Sequence, residues 1–282
     1  MNNIGYYNGK MSAIEELDIP ICDRICYFGD GVYDAIYSLN HKMIATDEHI
    51  ARFFESLKGA DIVAPCTKEY LKSLLIDMLK EVDGSSHFVY FQATRGSGVR
   101  DHSYDKNTKS NLLIFIKQSE LKPLDKAIAC TTTPDIRHNM CNIKTCNLLP
   151  NILALHKAQT QGAEEAIFID GNTVTECTHS NVHILKNGSL ITAPTNNKIL
   201  AGVQRHHLIL ACRALGVPVE ERHYSRDELM QADEAFITSA GALCIKISTI
   251  DSTPVGGEDP HTFGILQHHL KMEVERETGA QL

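Results

Sequence analysis

Short runs of β-branched and aromatic residues alternate with longer amphipathic stretches along the whole chain, without a strict strand–helix–strand rhythm. Such interleaving is typical of an α+β protein with mixed sheets and flanking helices, and it argues against a doubly wound parallel sheet. At 282 residues, the chain also exceeds the usual length of a single domain. We therefore expect an α+β fold of two domains.

Turn dipeptides and periodic apolar residues predict the individual elements. Asn8-Gly9 and Asn40-His41 predict hairpins, because asparagine and glycine tolerate the positive φ angles of tight turns. The expected strands are Ile4–Tyr7, Lys10–Ala13, Tyr33–Leu39, Met43–Ala45, Phe88–Thr94, Leu112–Lys117, Ala127–Thr132, Ala166–Ile169, Asn181–Leu185 and Leu190–Thr192, the last two joined by Asn187-Gly188.

Helices are expected where apolar residues recur every three or four positions. Thr46 or Asp47 is predicted to cap a helix that ends near Gly59, and Thr67 to cap a second helix that closes at Gly84. The later helices are expected at Asn151–Gln161, Val203–Leu215 and His261–Glu277.

The polar stretch Gln118–Asp125, which contains Pro123, is the best candidate for a connection between domains. It divides the chain into a smaller amino-terminal α/β domain at 1–120 and a larger carboxy-terminal domain at 121–282.

Composition excludes several classes of function. A net charge of -8 and a pI near 5.9 argue against a nucleic-acid-binding protein, and no apolar run is long enough to span a membrane. The amino terminus carries no secretory signal, so we expect a cytoplasmic protein. The nine cysteines match no disulfide framework and are expected to be reduced, and no histidine or cysteine pattern predicts a metal site.

Lys144 lies in an uncharged stretch that extends from Asn142 to Leu149. Loss of hydration in such surroundings favours the neutral amine, which is a nucleophile for aldehydes. Taken alone, the pattern is weak, because a lysine in an apolar context is far more often a surface residue whose aliphatic stem covers its neighbours.

A lysine that binds an aldehyde cofactor needs two companions: a carboxylate for the ring nitrogen and a cationic group for the phosphate. Glu176 follows the strand-like segment Asn172–Thr175, and Arg52 lies on the first predicted helix. Each also has a simpler interpretation, as a solvated carboxylate at a strand end and as a helix-surface charge.

Several separated motifs occur together in the order found in one enzyme family. They are Phe28-Gly29-Asp30-Gly31-Val32-Tyr33, Glu48-His49-Ile50-Ala51-Arg52, Ile143-Lys144-Thr145-Cys146-Asn147-Leu148-Leu149, Thr175-Glu176, Ser180-Asn181, Ala201-Gly202-Val203 and Thr238-Ser239. In this the chain resembles the fold-type IV pyridoxal-phosphate enzymes, the family of D-amino-acid, branched-chain and related aminotransferases. The likeness covers nearly the whole chain.

The resemblance implies a role for individual residues. Lys144 corresponds to the lysine that forms the Schiff base with pyridoxal 5'-phosphate and moves the substrate proton. Glu176 corresponds to the partner of the ring nitrogen, and Arg52 to a phosphate ligand. Tyr33 corresponds to a tyrosine on the substrate side of the pocket. Backbone amides complete the phosphate site at Val203, Gln204, Ser239 and Ala240.

Arg100-Asp101-His102 distinguishes members within this family. An arginine and a histidine at this spacing resemble the pair that binds the substrate α-carboxylate in D-amino-acid aminotransferases, and a guanidinium suits this task because it grips a carboxylate bidentately. The exposed polar loop suggested by Gly98 and Asp105 is the alternative. The chain departs from the D-enzymes at His179, Gln204 and Ala240, where they carry hydroxyl residues.

The resemblance implies transamination between D-amino acids such as D-alanine and 2-oxoglutarate, which gives D-glutamate and a 2-oxo acid. It also implies a homodimer and an active site between the two domains. The alternatives are a branched-chain L-amino-acid aminotransferase, an aminodeoxychorismate lyase and, from another class, a non-catalytic pyridoxal-phosphate-binding protein. Arg100 and His102 argue against the first two, and retention of this pair together with Lys144 and Glu176 argues against the third.

Overall fold

The computed structural model describes residues 1–282 and divides them into two compact units. The first unit contains Met1–Leu121, Ile143–Asn147 and Val274–Leu282, and the second contains Lys122–Asn142 and Leu148–Glu273. The sequence suggested two continuous halves instead. The difference arises because the segment around Lys144 pairs its backbone with a strand of the first unit.

The first unit is built on a six-stranded antiparallel sheet with strand order β2-β1-β6-β5-β3-β4. Its strands are β1 (Asn3–Tyr7), β2 (Lys10–Ser12), β3 (Gly31–Leu39), β4 (Lys42–Met43), β5 (Ser86–Thr94) and β6 (Asn111–Gln118). Its helices are α1 (Arg24–Phe28), α2 (Thr46–Gly59) and α3 (Lys68–Lys80), with a short 3-10 helix at Ile14–Glu16.

Both hairpins predicted in this unit are present. Asn8 and Gly9 join β1 to β2, and Asn40 and His41 join β3 to β4. All four turn residues have positive φ angles, between 48° and 97°. The turn chemistry was therefore sufficient to locate these connections.

The predicted cap of α2 is wrong. The N-cap is Ala45, which has a φ of 50° and offers no side-chain acceptor. The Thr46 hydroxyl instead donates to the Met43 carbonyl at 3.0 Å, back toward the preceding hairpin. The Ala45 amide donates to the Glu277 carboxylate at 3.0 Å, a partner so distant in sequence that local patterns cannot predict it.

The start of α3 was predicted correctly, since the Thr67 hydroxyl accepts from the Tyr70 amide at 3.2 Å. The helix ends at Lys80, four residues before Gly84. The buried faces of α2 and α3 cover one side of the sheet with Ile50, Phe53, Leu57, Leu71, Leu75 and Met78. Burial of each such side chain contributes about 1.5–3 kcal/mol.

The second unit is built on a nine-stranded mixed sheet, in which β12-β11-β10-β13-β14-β7-β8-β9 are neighbours in that order and β15 pairs with β14. Its strands are β7 (Ile128–Pro134), β8 (Glu165–Asp170), β9 (Thr173–Cys177), β10 (Asn181–Lys186), β11 (Ser189–Thr192), β12 (Val219–Glu221), β13 (Glu234–Thr238), β14 (Ile245–Ile250) and β15 (Thr253–Pro254). The later helices are α4 (Leu149–Thr160), α5 (Val203–Leu215), α6 (Arg226–Met230) and α7 (Pro260–Thr278).

Three strand pairs of the second sheet are parallel and the others are antiparallel. The sheet is covered on both faces, because alternate residues of its strands lie in separate apolar clusters. Ile184 and Ile237 pack in one cluster, and Leu185 and Phe236 in the other. The expected α+β class is confirmed.

All nine cysteines are unpaired thiols. None of the helices combines the length and the apolar character that crossing a bilayer requires.

Candidate active site

Lys144 is fixed in the first unit by backbone pairing. The Lys144 carbonyl accepts from the Tyr33 amide at 2.9 Å, and the Cys146 amide donates to the Gly31 carbonyl at 3.0 Å. The segment thus extends the sheet beside the first residues of β3. A side chain at Gly31 would lie 2.9 Å from the Ala93 carbonyl oxygen, so this approach requires glycine.

The Lys144 amine lies over an aromatic ring. Its Nζ is 4.4 Å from the centroid of Tyr33, within the range of a cation–π interaction. Tyr33 stacks on Tyr90 at 5.3 Å, and Tyr90 stacks on Phe115 at 4.8 Å. The stack gives the partly buried amine a rigid wall on one side. The structure therefore brings together two of the predicted site residues, Lys144 and Tyr33.

Asp34 organises a buried charged cluster on the next residue of β3. Arg52 donates to its two carboxylate oxygens at 2.9 and 2.8 Å, and the Nδ1 of His49 lies 2.8 Å from Oδ1. Burial alone raises the pKa of Asp34, but the charge of Arg52 and the hydrogen bonds from His49 and Arg52 outweigh this and lower it. Asp34 is therefore an anion that holds the predicted phosphate ligand Arg52.

His49 is a neutral member of this cluster. Burial lowers its pKa, the charges of Arg52 and Lys144 lower it further, and Asp34 opposes them only in part. Because an ionised carboxylate only accepts hydrogen bonds, the proton of the neutral ring is assigned to Nδ1. The influence of Lys144 on His49 indicates that the cluster lies close to the lysine.

In the second unit, Glu176 is buried at the end of β9 and is held by donors on both oxygens. Arg137 Nη1 donates to Oε1, while Asn181 Nδ2 and the Leu200 amide donate to Oε2 at 3.2 and 2.9 Å. An ionised carboxylate only accepts hydrogen bonds, and it has about four lone-pair positions for them. Glu176 is thus a hydrogen-bond acceptor that its neighbours hold in a fixed position.

Arg137 contacts the predicted site residue Glu176, and the sequence did not reveal this contact. It donates to Asp135 through Nε at 2.9 Å and Nη2 at 2.7 Å, and its guanidinium lies 4.3 Å from the ring centroid of Phe168. Burial lowers the pKa of Arg137, but hydrogen bonding to Asp135 and the charge of Glu176 raise it overall. The Arg137 cation therefore fixes Glu176 in place.

The predicted phosphate-binding amides lie at element ends of the second unit. Val203 and Gln204 form the first turn of α5, where no side chain caps the helix. Ser239 and Ala240 follow β13, and its last residue, Thr238, pairs with Asn181 in the sheet. An uncapped helix start presents amide hydrogens to an anion.

Gly202 packs against the Glu176 cluster. A Cβ at Gly202 would lie 2.0 Å from Asn181 Oδ1, which is impossible without displacement. Asn181 also donates to Glu176. The absence of a side chain at Gly202 therefore lets the start of α5 pack directly against the asparagine that holds this carboxylate.

Arg100 and His102 both lie against Phe28. The Arg100 guanidinium and the His102 ring are each 5.2 Å from the Phe28 centroid. No hydrogen bond or ring contact joins either residue to Lys144 or Tyr33 in the chain. The structure thus groups the two predicted carboxylate ligands with each other.

His179 is oriented by a buried carboxylate. Its Nδ1 lies 2.9 Å from Glu165 Oε2, and Glu165 is inaccessible to solvent. Glu165 also accepts from Thr178 and Ser180, so one carboxylate fixes the turn that joins Glu176 to Asn181.

The residues of both units match a known family. A model described as Amino-transferase class IV matches residues 31–250. The chain belongs to this family. The resemblance inferred from the separated motifs is therefore confirmed.

Two relatives are similar over almost their whole length. A D-alanine aminotransferase of Bacillus licheniformis is 36% identical over 259 residues, which cover 90% of each chain. A D-alanine aminotransferase of Listeria monocytogenes is 35% identical over 279 residues, which cover 96% of each chain.

Solved structures show the same fold. The branched-chain amino acid aminotransferase of Escherichia coli superposes with a TM-score of 0.88 at 20% identity, covering 100% of this chain and 97% of the other. The branched-chain aminotransferase of Thermoproteus uzoniensis, solved with norvaline, gives a TM-score of 0.88 at 22% identity, with 98% and 96% covered. The expected fold-type IV architecture is confirmed.

Proposed function

We propose that the protein is a pyridoxal-phosphate-dependent D-amino-acid aminotransferase. It transfers the amino group of a D-amino acid such as D-alanine to 2-oxoglutarate, which gives D-glutamate and a 2-oxo acid. The observation that carries this proposal is the likeness, at 35–36% identity over 90–96% of the chain, to proteins named D-alanine aminotransferase.

Pyridoxal phosphate, when bound, supplies an aldehyde that bonds to amino groups and a ring that withdraws electrons from the substrate α-carbon. Lys144 suits the aldehyde because it offers a primary amine, which lies over the Tyr33 ring. In the proposed reaction, Lys144 Nζ removes the proton from the substrate α-carbon. With the cofactor bound, the same amine would deliver this proton to the carbon of the cofactor aldehyde.

The Glu176 carboxylate of the second unit suits the ring nitrogen of the cofactor. Glu176 accepts a hydrogen bond from a protonated nitrogen, and its negative charge favours the charged ring. Arg137 and Asn181 hold the carboxylate in position. Arg137 therefore acts through Glu176, as a positioning residue.

The phosphate is assigned to Arg52 and to the amides of Val203, Gln204, Ser239 and Ala240. The uncapped start of α5 supports this assignment, since it fits a dianion. Backbone donors also account for the absence of hydroxyl side chains at Gln204 and Ala240.

The substrate α-carboxylate is assigned to Arg100 and His102, and Tyr33 is assigned to the substrate side of the site. A guanidinium fixes the plane of a carboxylate through paired hydrogen bonds. Holding the carboxylate on one side determines which face of the α-carbon meets the Lys144 amine, and this is the proposed basis of D-selectivity.

We also propose a homodimer that works in the cytoplasm. The homodimer rests on the family resemblance. The nine unpaired thiols support a reducing compartment. Sedimentation of the purified protein tests the dimer: a monomer at working concentration would contradict it.

The decisive experiment supplies the purified holoenzyme with 2-oxoglutarate and either D-alanine or L-leucine, and measures the 2-oxo acid formed. We expect turnover of D-alanine and little of L-leucine. The reverse preference would establish the branched-chain alternative instead. Cofactor binding without turnover of either substrate would leave the lyase and the non-catalytic alternatives, which aminodeoxychorismate as a third substrate separates.

Lys144→Ala is expected to abolish this turnover. Lys157→Ala is the matched control, because Lys157 is an exposed lysine on α4. Full activity of Lys144→Ala would contradict the assignment of the catalytic residue.

A further inference from the structure

We propose that Arg24 is a positioning residue that holds the loop 99–103 in the shape needed for Arg100 and His102 to bind the substrate carboxylate. This inference rests on the proposed function of that loop. Arg24 is the first residue of α1, and its side chain is only 8% exposed.

Arg24 reaches the loop at the carbonyl groups of the residues before and after His102. Its Nη1 donates to the Asp101 carbonyl at 2.7 Å and to the Ser103 carbonyl at 3.4 Å. The Asp101 carbonyl belongs to the residue between the two predicted ligands. One guanidinium nitrogen therefore fixes the path of the backbone that carries both side chains.

The loop has no other hydrogen bond from outside to residues 99–103. Its two internal bonds run from the Asp101 amide to the Val99 carbonyl at 2.9 Å and from the Ser103 amide to Asp101 Oδ1 at 3.1 Å. The neighbouring anchors are the Gly98 amide on the Cys22 carbonyl and the Tyr104 hydroxyl on Asp61. Val99 is 86% exposed, so packing adds little there.

Arg24 is itself held rigidly by Asp30. Arg24 Nε donates to Asp30 Oδ2 at 2.8 Å, and Arg95 Nε donates to the same oxygen at 2.9 Å. Arg95 is tied in turn to the Asp61 carbonyl at 2.6 Å and to the Ala60 carbonyl at 2.9 Å. The loop is thus connected through Arg24 and Asp30 to the end of α2.

The same short helix also supports the two ligand side chains. The Phe28 ring lies 4.9 Å from the Arg24 guanidinium, 5.2 Å from that of Arg100 and 5.2 Å from the His102 ring. Helix α1 therefore holds the loop backbone through Arg24 and its side chains through Phe28.

A lysine cannot replace Arg24 in this arrangement. The guanidinium donates in two directions, through Nε to Asp30 and through Nη1 to the loop, whereas an ammonium is a single point of charge. Arg24→Lys keeps the positive charge but loses the paired hydrogen bonds of the guanidinium. It therefore distinguishes the effect of holding the loop in position from the effect of the charge.

The test is a double-mutant cycle of Arg24→Lys and Arg100→Ala in the holoenzyme, with KM for D-alanine, kcat and bound cofactor as readouts. We expect Arg24→Lys to raise KM about tenfold, with kcat and cofactor content nearly unchanged. In the Arg100→Ala background the same change should raise KM less than about twofold. Arg222→Lys, an exposed arginine paired with Glu220, is the matched control.

An equal rise of KM in both backgrounds, or no rise in either, overturns the inference. Loss of cofactor in Arg24→Lys also overturns it, because this indicates a general structural role. If Arg24→Lys does not fold, Asp30→Asn loosens the same guanidinium, and the same dependence on Arg100 is expected. Failure of the wild-type protein to use D-alanine contradicts the proposed function instead.

Discussion

Arg52 donates two hydrogen bonds to Asp34, Nε to Oδ2 at 2.9 Å and Nη2 to Oδ1 at 2.8 Å, and Asp34 has no exposed surface. The orientation of the arginine is therefore set by an aspartate that directly follows Tyr33 in β3. Any ligand held by Arg52 depends on this buried pair.

Asp34→Asn is expected to lower the free energy of unfolding by about 3–5 kcal/mol, because it removes the buried carboxylate that balances the charge of Arg52. Urea denaturation measures the change. Asp47→Asn is the control: Asp47 pairs with Lys72 but its side chain is 76% exposed, so a loss below about 1 kcal/mol is expected. Equal losses in the two variants would show that burial of the pair is unimportant.

Gly202→Ala is expected to weaken cofactor binding about tenfold, since the new methyl group collides with Asn181 and displaces it from Glu176. Titration of the apoenzyme with pyridoxal phosphate measures this affinity. Gly264→Ala is the control, because Gly264 lies within α7 with no neighbour near its Cβ position, and alanine there should stabilise the helix by up to about 1 kcal/mol. Unchanged affinity in Gly202→Ala would show that the contact between Asn181 and Glu176 does not contribute to cofactor binding.

Glu176→Gln is expected to reduce turnover by roughly 10²-fold, the usual effect of removing one preorganised electrostatic partner. The amide also leaves the Arg137 cation without the second of its two anionic partners. Steady-state rates with D-alanine, taken at equal cofactor content, measure the effect. Glu220→Gln changes an exposed carboxylate and should keep the full rate. A fully active Glu176→Gln variant would show that the charge of Glu176 does not contribute to turnover.

Acid should destabilise the protein through its buried neutral histidines. Burial lowers the pKa of His183 well below its ordinary value, and burial likewise lowers that of His49. The unfolded chain therefore binds protons more readily than the folded one. The stability that depends on these histidines is complete above their unfolded pKa of about 6.5, and falls below it by up to about 1.4 kcal/mol per pH unit for each residue.

His183→Gln tests this pH dependence, because glutamine keeps a polar group between Thr192 and Thr238 without titrating. Urea denaturation between about pH 5 and 8 should show a shallower loss of stability in the variant. His156→Gln, at an exposed position of α4, should leave the slope unchanged. Identical slopes in the wild type and His183→Gln would mean that burial does not lower the pKa of His183 in the folded protein.

Local patterns were sufficient for most elements of the fold. Asn8-Gly9 and Asn187-Gly188 located two hairpins because the required backbone angles belong to the dipeptides themselves. Val203–Leu215 was predicted with both bounds correct, as its start at Gly202 and its end at Gly216 are marked by glycine. The prediction failed where a residue distant in sequence supplies the hydrogen bond. At the start of α2, the Ala45 amide donates to the Glu277 carboxylate.

Some residues of the candidate site could likewise be predicted from local sequence, and others could not. Lys144, Glu176 and Arg52 stand in motifs that can be recognised along the chain. Arg137 cannot be found in this manner, because its link to Glu176 joins residues 39 positions apart and depends on the folded backbone. Asp34 left a weak signal, as a carboxylate inside an otherwise apolar strand.

The affiliation of Ile143–Asn147 with the first unit has a consequence for dissecting the chain. Cleavage after Leu121 would separate β3 from the strand segment that carries the lysine, although both halves would keep most of their own sheets. Neither fragment alone could present the amine beside Tyr33. Activity should return only when both fragments are present, with the second inserting its lysine segment into the first as a missing piece of sheet.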